Sequence, residues 1–292
     1  MYPSILDRLN KGKATKLAKV SGGSIAEAAI ASFADGSEVF VKRANGVADM
    51  FMQEAVGLRA LEATGTIRIP AVLAVGDDAI VLEAIRSAAP ITDFSREFGR
   101  RLAYLHRHRG KTAGFYSDNY IGLTPQPNTP LRSSWNQAKV DDGSAWPDFY
   151  LERRLRFQVS QACANRPGCG ELQTLLQRAE STIVSMLAAA IEPPVLLHGD
   201  LWSGNFLVDD RGEPCLIDPA VYYGHREAEL AMTRLFGGFD EDFYSGYAEV
   251  FELALGHQER LPIYQLYHLL NHFNLFGAGY YEQCRRILQT LA

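Results

Sequence analysis

Residues 198–220 read HGDLWSGNFLVDDRGEPCLIDPA, and their pattern predicts a hairpin with polar residues at its open end. Two strand-like runs, FLV and CLI, are separated by the turn DDRG. A hairpin there would bring Asn205 and Asp218 side by side, with Asp200 in the turn that leads into it. The alternative is an ordinary polar loop, because Asp and Asn are common turn residues.

The chemistry of these three side chains favours phosphoryl transfer. Mg²⁺ binds oxygen ligands and usually takes only one or two protein carboxylates, so Asn205 and Asp218 are candidate metal ligands. Asp200 could then accept the proton of a nucleophilic hydroxyl beside the metal. The spacing D-x-x-x-x-N followed by a later metal-binding Asp is typical of kinases.

Three further candidates precede this stretch in the order that a kinase requires. Ser21, Gly22, Gly23 and Ser24 could cover phosphates with backbone N–H groups, although the run is not GxGxxG. Lys42 ends the apolar strand VFV and could reach the phosphates, with a solvated surface lysine as the alternative.

Glu54 is the third of these candidates. It lies beside a helical stripe of apolar residues and could pair with Lys42, although a solvated helix glutamate is the commoner case. The ordered set of loop, Lys, Glu, D-x-x-x-x-N and Asp indicates an active site more strongly than any one of its parts.

Composition narrows the class of protein. The chain has 292 residues, is 47% hydrophobic and carries a net charge of −5, so no basic domain predicts a nucleic-acid partner. The N-terminal residues are mixed and polar, unlike a secretory signal. The longest apolar run, 183–191, is much shorter than the ~20 residues of a membrane span. Four scattered cysteines predict a reduced, cytoplasmic protein.

Hydrophobic periodicity predicts an α+β fold with two lobes. Residues 28–44 read as a hairpin around Asp35-Gly36, 48–64 as a helix, and 69–85 as a second strand pair. Helices are predicted afterwards, over 92–110, 146–164 and 171–190 and in the tail from about 226, with 122–130 as a loop. This pattern divides the chain into a small β-rich N-terminal lobe, 1–86, and a larger helical lobe, 87–292.

The segment Glu83-Ala84-Ile85 would join the two lobes. Its backbone groups could bind an adenine edge, although a plain linker is the alternative. A cleft between two lobes is a common ligand site.

Longer motifs resemble the fructosamine (ketosamine) 3-kinases. HGDLWSGN (198–205), IDPAVYYGHREAELAM (217–232) and LFGGF (235–239) are similar to that family, as are DNYIGLTPQPN (118–128), FYLERRLRFQ (149–158) and YQLYHLLNHFNLFGAGY (264–280). The resemblance extends from about Ser21 to Tyr280. H-G-D-x-x-x-x-N alone is shared with aminoglycoside and choline kinases.

The resemblance implies a protein-kinase-like fold, ATP and Mg²⁺ as cofactors, and phosphorylation of the 3-hydroxyl of a ketosamine, which supports protein deglycation. It implies that Asp200 is the proton acceptor, that Asn205 and Asp218 hold magnesium, and that Lys42 with Glu54 orients the phosphates. Trp202 would line the sugar or amine pocket, with core packing as the alternative. Neither a nucleic acid nor a membrane is expected as a partner.

Other functions stay open at this point. An aminoglycoside- or choline-type kinase would have the same fold, and a pseudokinase could bind nucleotide without catalysis. The presence of all five catalytic elements disfavours the pseudokinase.

Overall fold

The N-terminal part of the chain forms an antiparallel sheet of five strands in the order β1-β2-β3-β5-β4. The computed structural model describes residues 3–20, 26–44, 49–130, 142–166 and 168–292. A short helix α1, Pro3–Leu6, and a 3₁₀ turn, Asp7–Leu9, precede the sheet. Its strands are β1 Lys16–Val20, β2 Glu27–Ser32, β3 Glu38–Arg43, β4 Val72–Val75 and β5 Ala79–Glu83. The two predicted strand pairs, β2–β3 and β4–β5, are thereby confirmed.

Helix α2, Met50–Glu62, lies between β3 and β4 along the chain and covers one face of the sheet. Its predicted apolar stripe of Phe51, Ala55 and Leu58 is buried. These residues belong to the same hydrophobic cluster as the core of the helical part, whereas Val39 and Val41 of β3 face a separate cluster on the other side of the sheet. Helix α2 is therefore packed against both parts of the molecule.

The remainder of the chain is mainly helical, with short strand pairs between the helices. The strand pairs are β6 Asn119–Ile121 with β7 Thr124–Gln126, β8 Val195–Leu197 with β11 Tyr222–Gly224, and β9 Phe206–Val208 with β10 Pro214–Leu216. The helices are α3 Phe94–Leu105, α4 Trp146–Tyr150, a π-helical segment Leu151–Arg156, α5 Phe157–Asn165, α6 Gly170–Ala188, α7 Arg226–Leu235, α8 Glu241–Val250, α9 His257–Phe276, a 3₁₀ turn Ala278–Tyr280 and α10 Tyr281–Leu291. Within the described ranges, no helix combines the length and apolarity needed to cross a membrane.

Two predictions of local structure were wrong. The helix predicted over 92–110 ends at Leu105 because the following residues pair with strand β8: the His108 carbonyl accepts from Leu196 N–H at 2.9 Å, and Arg109 bridges to Val195. The predicted loop 122–130 contains strand β7, which pairs with β6. The first departure follows from long-range pairing that no local pattern indicates, whereas the second is a short local hairpin with a loop-like composition.

Candidate active site

Lys42, Glu54 and Asp218 form one ionic cluster around the buried ammonium group of Lys42. The Lys42 ammonium lies 2.7 Å from Glu54 Oε1 and 2.5 Å from Asp218 Oδ1. Successive side chains of a strand point to opposite faces, so Lys42 shares the face of Phe40, which packs toward the core that contains helix α2. The structure therefore brings together three of the residues that the sequence proposed for phosphate and metal binding.

The charges of this cluster support one another. Burial acts to lower the pKa of Lys42, but the carboxylates of Glu54 and Asp218 outweigh burial and raise it above its ordinary value. Lys42 is only 8% exposed, and a buried ammonium is stable only when it is paired. The lysine is accordingly held as a cation, and its contact with phosphates stays a prediction.

Asp200 and Asn205 are joined across the turn that precedes strand β9. The Asn205 amide nitrogen donates to the backbone oxygen of Asp200 at 2.8 Å and to its carboxylate at 3.2 Å. Burial and the nearby charge of Glu229 raise the pKa of Asp200 well above its ordinary value, and the bond from Asn205 opposes them only in part. A carboxylate with a raised pKa is better suited to take a proton near neutral pH than an ordinary aspartate.

The turn that carries Asp200 is held in place by Glu229 of helix α7. The Glu229 carboxylate accepts hydrogen bonds from the backbone N–H groups of His198 and Gly199. Gly199 has φ +86°, and a Cβ at this position would lie 2.0 Å from the Ala220 carbonyl oxygen. Only glycine fits there, so the turn and the segment after Asp218 are in direct backbone contact.

His198 connects the same two segments. Its Nε2 lies 2.8 Å from the Ile217 carbonyl oxygen, and its Nδ1 accepts from the Asp200 N–H at 3.3 Å. Burial lowers the pKa of His198, so the ring is neutral and donates from Nε2. His198 therefore supports the turn by joining it to the segment before Asp218.

Asn205 and Asp218 meet at the open end of the β9–β10 hairpin. The Ile217 N–H donates to the Asn205 carbonyl oxygen at 3.0 Å, which continues the ladder of the hairpin by one step. Asp218 follows with φ +55°, and its side chain is 45% exposed. An amide oxygen and a partly exposed carboxylate beside a cationic lysine fit the ligands that Mg²⁺ takes from a protein.

The segment that was expected to bind adenine begins at Glu83, the last residue of strand β5. The Glu83 side chain is engaged by Arg68 at 2.7 Å and by the Ala71 N–H at 3.3 Å, so it faces the β-rich part of the chain. Ala84 and Ile85 are half-buried. Adenine binding by the backbone of Glu83, Ala84 and Ile85 stays a prediction. The predicted phosphate loop of Ser21, Gly22, Gly23 and Ser24 lies outside the described residues.

Trp202 lies beside the Asp200 turn and is 38% exposed. A Cβ on Gly204 would come within 2.3 Å of the indole ring, so the ring rests directly on the backbone of the turn. Gly238, at φ +94°, similarly packs against the Ser203 side chain, where a Cβ would lie 2.4 Å from Ser203 Cβ. The indole is therefore a partly open surface next to the Asp200 turn and not a core residue, and its contact with substrate stays a prediction.

The sequence reasoning missed Glu229 as a component of the site. The only sequence signal for Glu229 was its position in the run YYGHREAEL, one of the motifs that resemble the fructosamine 3-kinases. A glutamate within a helix carries no local sign of what it accepts, because its partners lie 30 and 31 residues earlier in the chain.

Comparison with known proteins assigns the family. A model of the family described as fructosamine kinase matches residues 4–292. The chain belongs to the fructosamine kinase family. The resemblance stated from the sequence is thereby confirmed.

Relatives and solved structures agree with this membership. The chain is 40% identical over 290 residues to a chloroplastic protein-ribulosamine 3-kinase from Oryza sativa subsp. japonica, covering 96% of this chain and 80% of that protein. It superimposes on a fructosamine-3-kinase candidate from Thermobifida fusca with a TM-score of 0.81 and 31% identity, over 99% and 98% of the two chains. Aminoglycoside phosphotransferase APH(4)-Ia matches with a TM-score of 0.61 and 15% identity, over 97% and 96%, which shows the fold alone. The predicted α+β, protein-kinase-like fold is confirmed.

Proposed function

We propose that this chain transfers the γ-phosphoryl group of ATP to the 3-hydroxyl of a ketosamine. The observation that carries the proposal is the meeting of two pairs at the end of one hairpin: Lys42 with Asp218, and Asp200 with Asn205. Family membership supports kinase chemistry on a sugar hydroxyl, and the ribulosamine 3-kinase among its relatives supports a ketosamine as acceptor.

The reaction begins with ATP placed between the β-rich part, 1–86, and the helical part, 87–292. In this arrangement the Lys42 ammonium, fixed by Glu54, contacts the phosphates. Asn205 and Asp218 would hold Mg²⁺, which when bound neutralises phosphate charge. Holding charged groups in place before the reaction lowers the barrier, because little reorganisation is then needed.

Asp200 acts on the acceptor. The substrate's 3-hydroxyl oxygen attacks the γ-phosphorus, the bond from that phosphorus to the β,γ-bridging oxygen breaks, and the hydroxyl proton passes to the Asp200 carboxylate. The products are ADP and the ketosamine 3-phosphate. The bond from Asn205 orients the Asp200 carboxylate, and the raised pKa of Asp200 strengthens it as a base.

The acceptor decides between the candidate functions. Purified protein with ATP and Mg²⁺ should release ADP in the presence of ribulose-, erythrulose- or fructose-derived lysine, with ribulosamine as the preferred form. It should not release ADP with kanamycin or choline. Turnover on kanamycin or choline alone would replace the ketosamine proposal, and no turnover on any acceptor would favour a nucleotide-binding pseudokinase.

The identity of the metal is tested separately. Omission of Mg²⁺, with Mn²⁺ and Ca²⁺ as replacements, identifies the metal that the reaction needs. A cytoplasmic location also stays a prediction.

A further inference from the structure

The hairpin segment 117–128, which contains β6 and β7, contacts helix α2, which carries Glu54, and the backbone that follows Asp218. Its sequence contributed to the family resemblance, yet no step described above uses it. Asn119, Gln126 and Asn128 are buried within it, which is unusual for three side chains of this polarity in one short segment. Buried amides of this kind indicate a specific structural connection, because each one must find hydrogen-bond partners.

One set of contacts joins the hairpin segment to the backbone that follows Asp218. Asn119 donates to the Val221 carbonyl oxygen at 2.8 Å, and Gln126 donates to the Ala220 carbonyl oxygen at 2.9 Å. Tyr267 of helix α9 donates to Gln126 Oε1 at 2.6 Å. The hairpin segment is thus fixed to the helical part and to the residues that place Asp218.

A second set of contacts joins the hairpin segment to helix α2. Ser117 Oγ donates to Gln53 Oε1 at 2.9 Å, and the Tyr120 hydroxyl donates to Asp49 Oδ1 at 2.9 Å. Asp49 occupies the N-cap position of α2 but makes no side-chain cap to its own helix. Its carboxylate accepts from Tyr120, so the first turn of α2 is tied to another element of the fold.

Helix α2 also rests directly on the segment after Asp218. A Cβ on Gly57 would lie 3.2 Å from a Val221 methyl group and 3.3 Å from the Pro219 ring. Gln53 immediately precedes Glu54, so a shift of this turn of α2 would move the Glu54 carboxylate relative to Lys42. The hairpin segment therefore touches the helix of one Lys42 partner and the backbone beside the other.

We propose that the hairpin segment 117–128 holds helix α2 against the Asp218 segment, with Ser117 and Tyr120 as positioning residues for the ion pairs of Lys42. The inference rests on the proposed contact of Lys42 with the phosphates of ATP, but not on the identity of the acceptor. Its direct consequence is for nucleotide affinity, which needs no acceptor. Loosening α2 would leave Lys42 with one fixed carboxylate instead of two, and its ammonium would be less well aligned on the phosphates.

The test measures MgATP affinity by titration calorimetry for Ser117→Ala, Gln53→Ala and their double variant. Each single variant should weaken MgATP binding by roughly two- to ten-fold, the range expected for one hydrogen bond. The double variant should bind MgATP no less tightly than the single variant with the lower affinity, because each single substitution already removes the same hydrogen bond. Ser117→Thr, which keeps a hydroxyl donor, should restore most of the affinity. Tyr120→Phe should produce a similar loss through the second contact.

Ser95→Ala is the matched control. Ser95 is also half-buried and donates a side-chain hydrogen bond of the same length, 2.9 Å, to Asp240 in the helical part. MgATP affinity should be unchanged in that variant. The proposal is overturned if Ser117→Ala and Tyr120→Phe both bind MgATP within twofold of the unmodified chain, or if Ser95→Ala shows the same loss. A lowered melting temperature with unchanged affinity would mean that the segment only stabilises the fold. Because the readout is nucleotide binding, the result stands whichever acceptor the enzyme uses.

Discussion

Asn205 donates from one amide group to two oxygens of Asp200, the backbone carbonyl at 2.8 Å and the carboxylate at 3.2 Å. A single side chain thus fixes both the turn and the direction of the carboxylate that it carries. In the proposed mechanism the same residue offers its amide oxygen to the metal, so the proposed base and the proposed metal site share one side chain.

Asp200→Asn should lower turnover by about 10²–10⁴-fold, because general-base catalysis contributes an effect of that size. MgATP affinity should stay close to that of the unmodified protein, since the Lys42 ion pairs are untouched. Initial rates of ADP release and calorimetric titration with MgATP measure the two quantities. Turnover close to normal would remove Asp200 from the role of base.

Asp218→Ala should weaken MgATP binding strongly, because it removes both the proposed metal ligand and a partner of Lys42. Binding of ATP without Mg²⁺ should fall less, since the Lys42–Glu54 pair is retained at 2.7 Å. Titrations with ATP in the presence of Mg²⁺ and of EDTA separate these effects. An unchanged affinity for MgATP in the variant would contradict the assignment of Asp218 as a metal ligand.

Local sequence signals were sufficient for the parts of the site that form over short distances. Lys42 was placed opposite Glu54 from the Asp-Gly turn, the alternation of side chains along β3 and the apolar stripe on α2. Asn205 was placed near Asp218 from the DDRG turn. Each of these depends on a backbone preference within a few residues, so the sequence alone predicts them.

The long-range contacts could not be predicted in the same way. The bond from Lys42 to Asp218 joins residues 176 positions apart, and nothing near either residue indicates it. Strand β7 was missed because Thr-Pro-Gln has loop-like composition and the strand is only three residues long. Its place is set by the tertiary partners of Gln126, Tyr267 and the Ala220 carbonyl oxygen.

The pH dependence of catalysis should reflect the raised pKa of Asp200. Asp200 must be ionised to accept a proton, so kcat/KM should fall on acidification through a pKa well above the ~4 of an ordinary aspartate. Burial is the main cause of the shift, with the charge of Glu229 next. A pH profile of kcat/KM with thermal melting at each pH separates titration from unfolding. An acid limb close to pH 4 in folded protein would argue against this electrostatic picture.

Glu229→Gln should destabilise the fold by about 1–3 kcal/mol, since one buried backbone N–H would then face an amide NH₂ group. Burial acts to raise the pKa of Glu229, but His106, His198 and the His198 backbone N–H outweigh it and hold the pKa below its usual range. The stabilisation is therefore present above the unfolded-state pKa of about 4.3 and is lost as the pH falls below it.

Urea unfolding at pH 7 and near pH 4 checks both parts of this prediction. The difference between the unmodified chain and Glu229→Gln should be largest at pH 7 and should shrink at the lower pH. Glu241→Gln is the control, because the Glu241 side chain is largely exposed and its ion pair with Arg234 is long, at 3.8 Å. Equal effects of the two substitutions would show that Glu229 gains nothing from its buried contacts.

Trp202→Ala should raise KM for the ketosamine while KM for ATP stays nearly constant, because the indole lies beside the Asp200 turn and forms no part of the Lys42 ion pairs. The ring is partly open and could stack on a sugar or on the carrier amine. Gly204→Ala tests the same surface without removing the ring, since a methyl group there would meet the indole at 2.3 Å and displace it. Both variants should therefore lose acceptor affinity, and Trp202→Phe should lose less than Trp202→Ala. If Trp202→Ala instead left KM for the ketosamine unchanged and lowered the melting temperature, the indole would serve packing and not substrate binding.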